Sequence, residues 1–226
     1  MAITKRIVCL ANSRKLQGRC IAGREIVGDR PGAWIRPVSD REHEEVSEYE
    51  REYEDGSDPS VLDIIEVPLR EPRPSGCQQE NWLLDPNEYW ARVGRWPWTD
   101  LDQLADNSGT LWINGYHTYS GQNDQIPLDQ MATVGSSLKL IRVSRLVLNV
   151  FTSGGVFGPA KRRVQARFRF VKDDYAFWVT DPTIERAYLA RKNGEYHLGK
   201  SYLTISLGEP FRGYCYKLVA AAIQQE

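Results

Sequence analysis

Arg163, Arg167 and Arg169 share one parity of a short run, while Val164, Ala166, Phe168 and Phe170 occupy the other. Alternate residues of a strand point to opposite faces, so this spacing sets guanidinium groups on one face and apolar side chains on the other. A guanidinium is a planar fork of donors that matches phosphate oxygens, and an aromatic ring offers a platform for a base. Lys161 and Arg162 precede the run, after a glycine-rich loop, Gly154 to Pro159, with Phe157 at its tip. Trp178 lies on the next strand, and Phe211 and Arg212 sit in a later turn. Near the N-terminus Arg14, Lys15 and Arg19 flank a polar loop ending at Gly18. These residue types predict a surface for single-stranded nucleic acid. Arg14, Lys15, Arg19, Lys161, Arg162, Arg163, Arg167, Arg169 and Arg212 would meet phosphate; Phe157, Phe211 and Trp178 would stack, each stack contributing roughly 1–3 kcal/mol. The plainer alternative is that the alternating arginines are a solvated strand face.

Other chemistry is poorly represented. His117 stands near Tyr119 and Asp124, which would suit an acid–base pair, but no second ligand lies at metal spacing. Gly18 to Gly23 has the outer glycine spacing of a phosphate loop, yet Arg24-Glu25 follows where Lys and Ser or Thr are required. Neither GxSxG nor HExxH occurs. The expectation is a protein that is not an enzyme and has no metal and no cofactor.

The chain has 226 residues, 41% hydrophobic and 26% charged, with a net charge of −1. Its bulk charge does not announce a polyanion partner. Its distribution is more telling, and segregated charge can still present a basic face to phosphate: basic residues crowd Lys5 to Arg36 and Lys139 to Lys172, and acids crowd Asp40 to Asp58. Cys9, Cys20, Cys77 and Cys215 have unrelated spacings, which points to a reducing compartment and hence the cytoplasm. No apolar run is long enough to span a bilayer, so no membrane is expected.

The elements that must position these residues read as one pattern written twice. In the first copy, strands over 5–13, 19–27 and 34–38 precede a helix capped at Ser39-Asp40-Arg41-Glu42, with Val46, Tyr49 and Tyr53 as its apolar stripe, and a strand over 61–67 follows. That acidic helix reads as a solvated face, with docking onto a basic surface as the sharper idea. In the second copy, strands over 139–151, 163–170 and 175–180 precede a helix opened by Asp181-Pro182 and closed at Asn193-Gly194. Strands over 202–207 and 214–223 complete it. Trp34 and Trp178 fall at similar places in the two copies and read first as packing residues. Between the copies, five tryptophans (Trp82, Trp90, Trp96, Trp98 and Trp112) mark a different segment, in which helical turns are predicted from Asp85-Pro86 and from Thr99. Strands, a helix, then returning strands is the order of a small Greek-key barrel of the OB type.

The stretches Arg6 to Lys15, Gly18 to Gly23 and Trp34 to Ser39 resemble a family of bacterial dual-OB-domain proteins. So do Leu111 to Gly115, Gly121 to Asp124, Leu207 to Pro210 and Cys215 to Leu218. The resemblance covers essentially the whole chain. It implies two OB-like domains and carries neither a reaction nor a catalytic residue. The expected fold is mainly β with short helices (α+β): two OB-like Greek-key barrels, residues 1–78 and 137–226, joined by a Trp-rich connector, 79–136, packed on them. The expected function is non-catalytic binding of single-stranded DNA or RNA, with delivery to a partner protein or enzyme. The alternative is a protein-interaction or adaptor module that docks through the same domains and the connector.

Overall fold

The computed structural model describes residues 3–28, 30–154 and 160–225. The chain divides into two compact units, residues 1–104 with 135–137, and residues 105–134 with 138–226. The first holds strands β1 (Ile3–Lys15), β2 (Gly18–Val27), β3 (Arg30–Val38), β4 (Asp63–Pro72), β5 (Asn81–Leu84) and β6 (Ala91–Arg95), and a short helix α1 (Glu48–Arg51). The second holds β7 (Gln125–Pro127), β8 (Leu138–Val143), β9 (Leu146–Ser153), β10 (Lys161–Phe170), β11 (Asp173–Val179), helix α2 (Pro182–Leu189), β12 (Gly194–Leu198), β13 (Ser201–Leu207) and β14 (Tyr214–Ile223).

The molecule is mainly β with short helices, but the reading as two OB-like Greek-key barrels joined by a connector is corrected. The strands form a six-stranded sheet in the order β1-β2-β3-β5-β4-β6, with a further β1–β4 ladder, and an eight-stranded sheet in the order β12-β9-β10-β11-β14-β13-β8, with β7 paired to β14 off that path. The two ends of the second order, β12 and β8, share no ladder among the described residues. Segments that look like single strands in the sequence are split. Ser144 and Arg145 divide the 139–151 run into β8 and β9. The turn predicted to be a helix at Asp85 is an Asx turn, its carboxylate accepting from Asn87 N–H at 3.2 Å, and it separates β5 from β6. Trp82 therefore lies on β5, paired with Pro37 of β3 and Pro72 of β4, and Trp90 is buried in the first core.

The acidic segment also differs from its prediction. His43 and Glu44 have φ of 66° and 56°, which ends a three-residue 3-10 turn. Val46 then exchanges both backbone hydrogen bonds with Arg19. The capping box forms at Ser47 and Glu50, eight residues after the predicted Ser39. Val46 and Tyr53 are buried while Tyr49 is exposed, so they make no common stripe. Glu45 accepts from the backbone N–H groups of Gln17 and Gly18, tying the segment to the β1–β2 turn.

The second unit follows its pattern more closely. On β10 and β11, Val164, Ala166, Phe168, Tyr175, Phe177 and Val179 face the core. Phe168, Tyr175 and Phe177 form a triangle of rings with centroids 5.4–5.5 Å apart, two of the three contacts edge-on. Asp181 caps α2, accepting from Thr183 and Ile184 N–H. No helix among the described residues is long and apolar enough to cross a membrane.

Candidate nucleic-acid interface

The outward parity of β10 carries Arg163, Gln165, Arg167 and Arg169, flanked by Phe151 of β9 and by Asp174, Ala176 and Trp178 of β11. At one end the Arg163 guanidinium lies 5.2 Å from the Trp178 ring centroid, and Phe151 packs on the same indole at 5.6 Å. Trp178 stays partly exposed. A cation over an indole beside a second aromatic ring holds the platform still and keeps positive charge beside it.

At the other end is a cleft of about 440 Å³. Arg145, Arg167 and Arg169 line it together with Asp174, and Ser120, Gly121 and Gln122 form one wall. That wall is a strap, residues 110–124, fastened onto the sheet. Gln122 exchanges both backbone hydrogen bonds with Ala176, at 3.2 and 3.1 Å. Gln165, fully buried although on the outward face, donates to Ser120 C=O at 2.6 Å and accepts from Arg167 Nε at 3.0 Å. Gly121 leaves no room for a side chain, since a Cβ there would meet the Asp124 carboxylate at 1.8 Å.

The base of the strap is held by a buried lysine. Lys217 Nζ donates to Ile113 C=O at 2.6 Å and to Asn114 Oδ1 at 3.2 Å. Asn114 Nδ2 in turn donates to Asp173 and to the Tyr175 hydroxyl. Burial pushes the Lys217 ammonium down to about 7, against the opposing pull of Asp124 and Asp173. Higher in the strap, His117 Nδ1 accepts from Asn123 N–H, while the Asp124 carboxylate accepts from the Thr118 N–H and hydroxyl. His117 and Asp124 are thus occupied separately, and the acid–base pairing drawn from the sequence does not form.

The residues singled out in the sequence scatter over several places. Arg163, Arg167, Arg169 and Trp178 come together on this face. Arg162 does not: its parity is that of Val164, and its guanidinium donates to Leu189 C=O, Arg191 C=O and Asn193 Oδ1, closing the C-terminal end of α2. Lys161 is exposed at the start of β10. Phe157 lies outside the described residues. Arg212 stacks on Phe211, 5.1 Å from its centroid, and Phe211 packs on Tyr216, all within the turn and first residues before and in β14. Arg14, Lys15 and Arg19 belong to the first unit, around the β1–β2 turn, with Arg14 directly across from Arg19. Sequence reasoning missed Arg145, Phe151, Gln165 and the strap. Arg145 left a trace, since Ser144-Arg145 is the one adjacent pair of polar residues in the 139–151 run.

The units also differ in charge. Lys and Arg number 14 against 20 Asp and Glu in the first, a net −6, and 15 against 10 in the second, a net +5. The near-neutral chain is therefore an acidic unit and a basic one.

Residues 5–222 match the family described as "Dual OB-containing domain". No curated protein and no solved structure matches the chain. Because that match runs from within β1 to within β14, the chain belongs to the dual OB-containing domain family.

Proposed function

We propose that the protein binds single-stranded nucleic acid, without chemistry of its own, through the outward face of β9, β10 and β11. The observation that carries this reading is the packed Arg163–Trp178–Phe151 group on the same sheet face as the Arg145, Arg167 and Arg169 cleft. Guanidinium beside a rigid aromatic surface, on a unit of net positive charge, supports sequence-tolerant contact with a single strand. A duplex buries its base faces, so it could use only the phosphate part of this surface.

The test is fluorescence anisotropy with labelled single-stranded DNA, single-stranded RNA and duplex at two salt concentrations. Single strands are expected to bind more tightly than duplex, with a log K against log salt slope near −0.7 per phosphate neutralised. Failure of both single strands to bind at low salt sinks the reading.

A second reading, an adaptor, rests on the first unit. Its net charge is −6, and Tyr53, Tyr89 and Trp90 line an open groove with Glu54, Asp55 and Arg92. Such a surface suits a basic protein partner, and binding there would be lost on Tyr89→Ala with nucleic-acid affinity unchanged.

A further inference from the structure

The outward face is not an uninterrupted track. Gln165 occupies the register position between Arg163 and Arg167, and its hydrogen bond to Ser120 brings the strap onto the face there. A strand stacked on Trp178 and running along β10 meets this obstruction, and the arginine cleft lies beyond it. The cleft is therefore shaped to receive an end.

Its charge is that of a site for more than one negative charge. Three guanidinium groups face one carboxylate, Asp174. Arg145 has no hydrogen bond or ion pair among the described residues. Arg167 spends one N–H on Gln165 and one on Glu195, and Arg169 spends one on Lys172 C=O, so both keep further donors. A backbone phosphodiester carries a single charge. A phosphate monoester loses its second proton near pH 6 and carries roughly −1.5 to −2 at pH 7. Arginine forks bind such a group through paired charged hydrogen bonds.

We infer that this cleft binds the terminal phosphomonoester of a nucleotide, with Arg145, Arg167 and Arg169 on the phosphate and Asp174 accepting from a sugar hydroxyl or a base amino group. The inference rests on the reading of this face as a nucleic-acid surface. The same chemistry is offered by a 5′-phosphorylated strand, a 3′-phosphorylated strand and a free nucleoside monophosphate.

The full-length protein would be titrated against one short single strand prepared with a 5′-phosphate, with a 3′-phosphate, or with hydroxyls at both ends. Adenosine 5′-monophosphate alone would be titrated by calorimetry. One phosphorylated end is expected to bind at least about tenfold more tightly than the hydroxyl-ended strand. Arg145→Ala, at an exposed site, is expected to abolish that preference while leaving the melting temperature in place. Trp178→Ala should weaken all three strands alike and keep the preference. Equal affinity for all three strands overturns the inference and leaves the single-strand reading standing. Binding of the monophosphate, lost in Arg145→Ala, with no strand bound, supports the cleft and overturns the single-strand reading. If neither strand nor monophosphate binds, both fall.

Discussion

Each unit places an arginine over a tryptophan at the same point of its pattern, and the two pairs do different work. In the first, Arg24 of β2 lies 4.9 Å from the ring of Trp34 on β3. In the second, Arg163 of β10 lies 5.2 Å from the ring of Trp178 on β11. Trp34 is only 7% exposed, and Arg24 also donates to Gly32 C=O. Trp178 is partly exposed, with Phe151 as its packing partner. The same motif is thus a piece of core in one unit and a surface platform in the other. What surrounds it decides.

The cations follow the same division. In the first unit they meet acids: Lys5 with Glu25 at 2.7 Å, Arg6 with Glu66 at 2.7 Å, Arg70 with Asp85 at 3.1 Å and Arg51 with Asp58 at 2.9 Å. Arg36 and Glu80 form a buried pair at 3.3 Å, and Ser137 hydrogen-bonds both. In the second unit, Arg163 rests on an indole and Arg145 faces the cleft.

The contrast can be broken most sharply at the buried pair. Arg36→Met strands the Glu80 carboxylate and is expected to cost about 3–5 kcal/mol in urea denaturation. Glu195→Ala removes the exposed pair with Arg167 and should cost less than about 1 kcal/mol. Next come the tryptophans. Trp34→Ala is expected to lose about 3–5 kcal/mol of stability. Trp178→Ala should lose about 1–3 kcal/mol of single-strand affinity and much less stability. If the two tryptophans behave alike in both measurements, the distinction between core and platform is wrong.

Salt dependence sharpens the division of charge. Alanine at Arg163, Arg167 and Arg169 together should flatten the slope of log K against log salt by about 2. Alanine at Arg6, Arg70 and Arg73, the last paired with Asp40, should leave it unchanged.

The effects of pH on stability have opposite signs in the two units. Lys217 is lowered from 10.5 to about 7, so between these values the unfolded chain holds a proton that the folded one has lost, and stability rises with pH. Burial, with Asp63 nearby, pushes the Cys9 thiol up from 9.0 to about 12, so there the folded state holds the extra proton and stability falls as pH rises. Lys217→Met should remove the rise and Cys9→Ala the fall, both read from denaturation midpoints across that range.

Much of the second unit was legible because its signals are local. The alternation from Arg163 to Phe170 sets the face of β10, and Asp181-Pro182 sets the start of α2. The same alternation could have removed Arg162 from the phosphate contacts, since it shares the parity of Val164. The acidic segment was misread because a long-range event, the pairing of Val46 with Arg19, outweighs the local preference for helix. The cleft was invisible for a similar reason: its wall, Ser120 to Gln122, is more than forty residues from Gln165, which holds it.

The sequence alone determined where charge and apolar surface alternate along β10 and where α2 is capped, because these depend on neighbours along the chain. Only the tertiary structure decided which arginines are committed and which face outward, and which tryptophan is buried. It also decided that a strap crosses the β10 face, because each of these depends on which distant backbone covers a side chain.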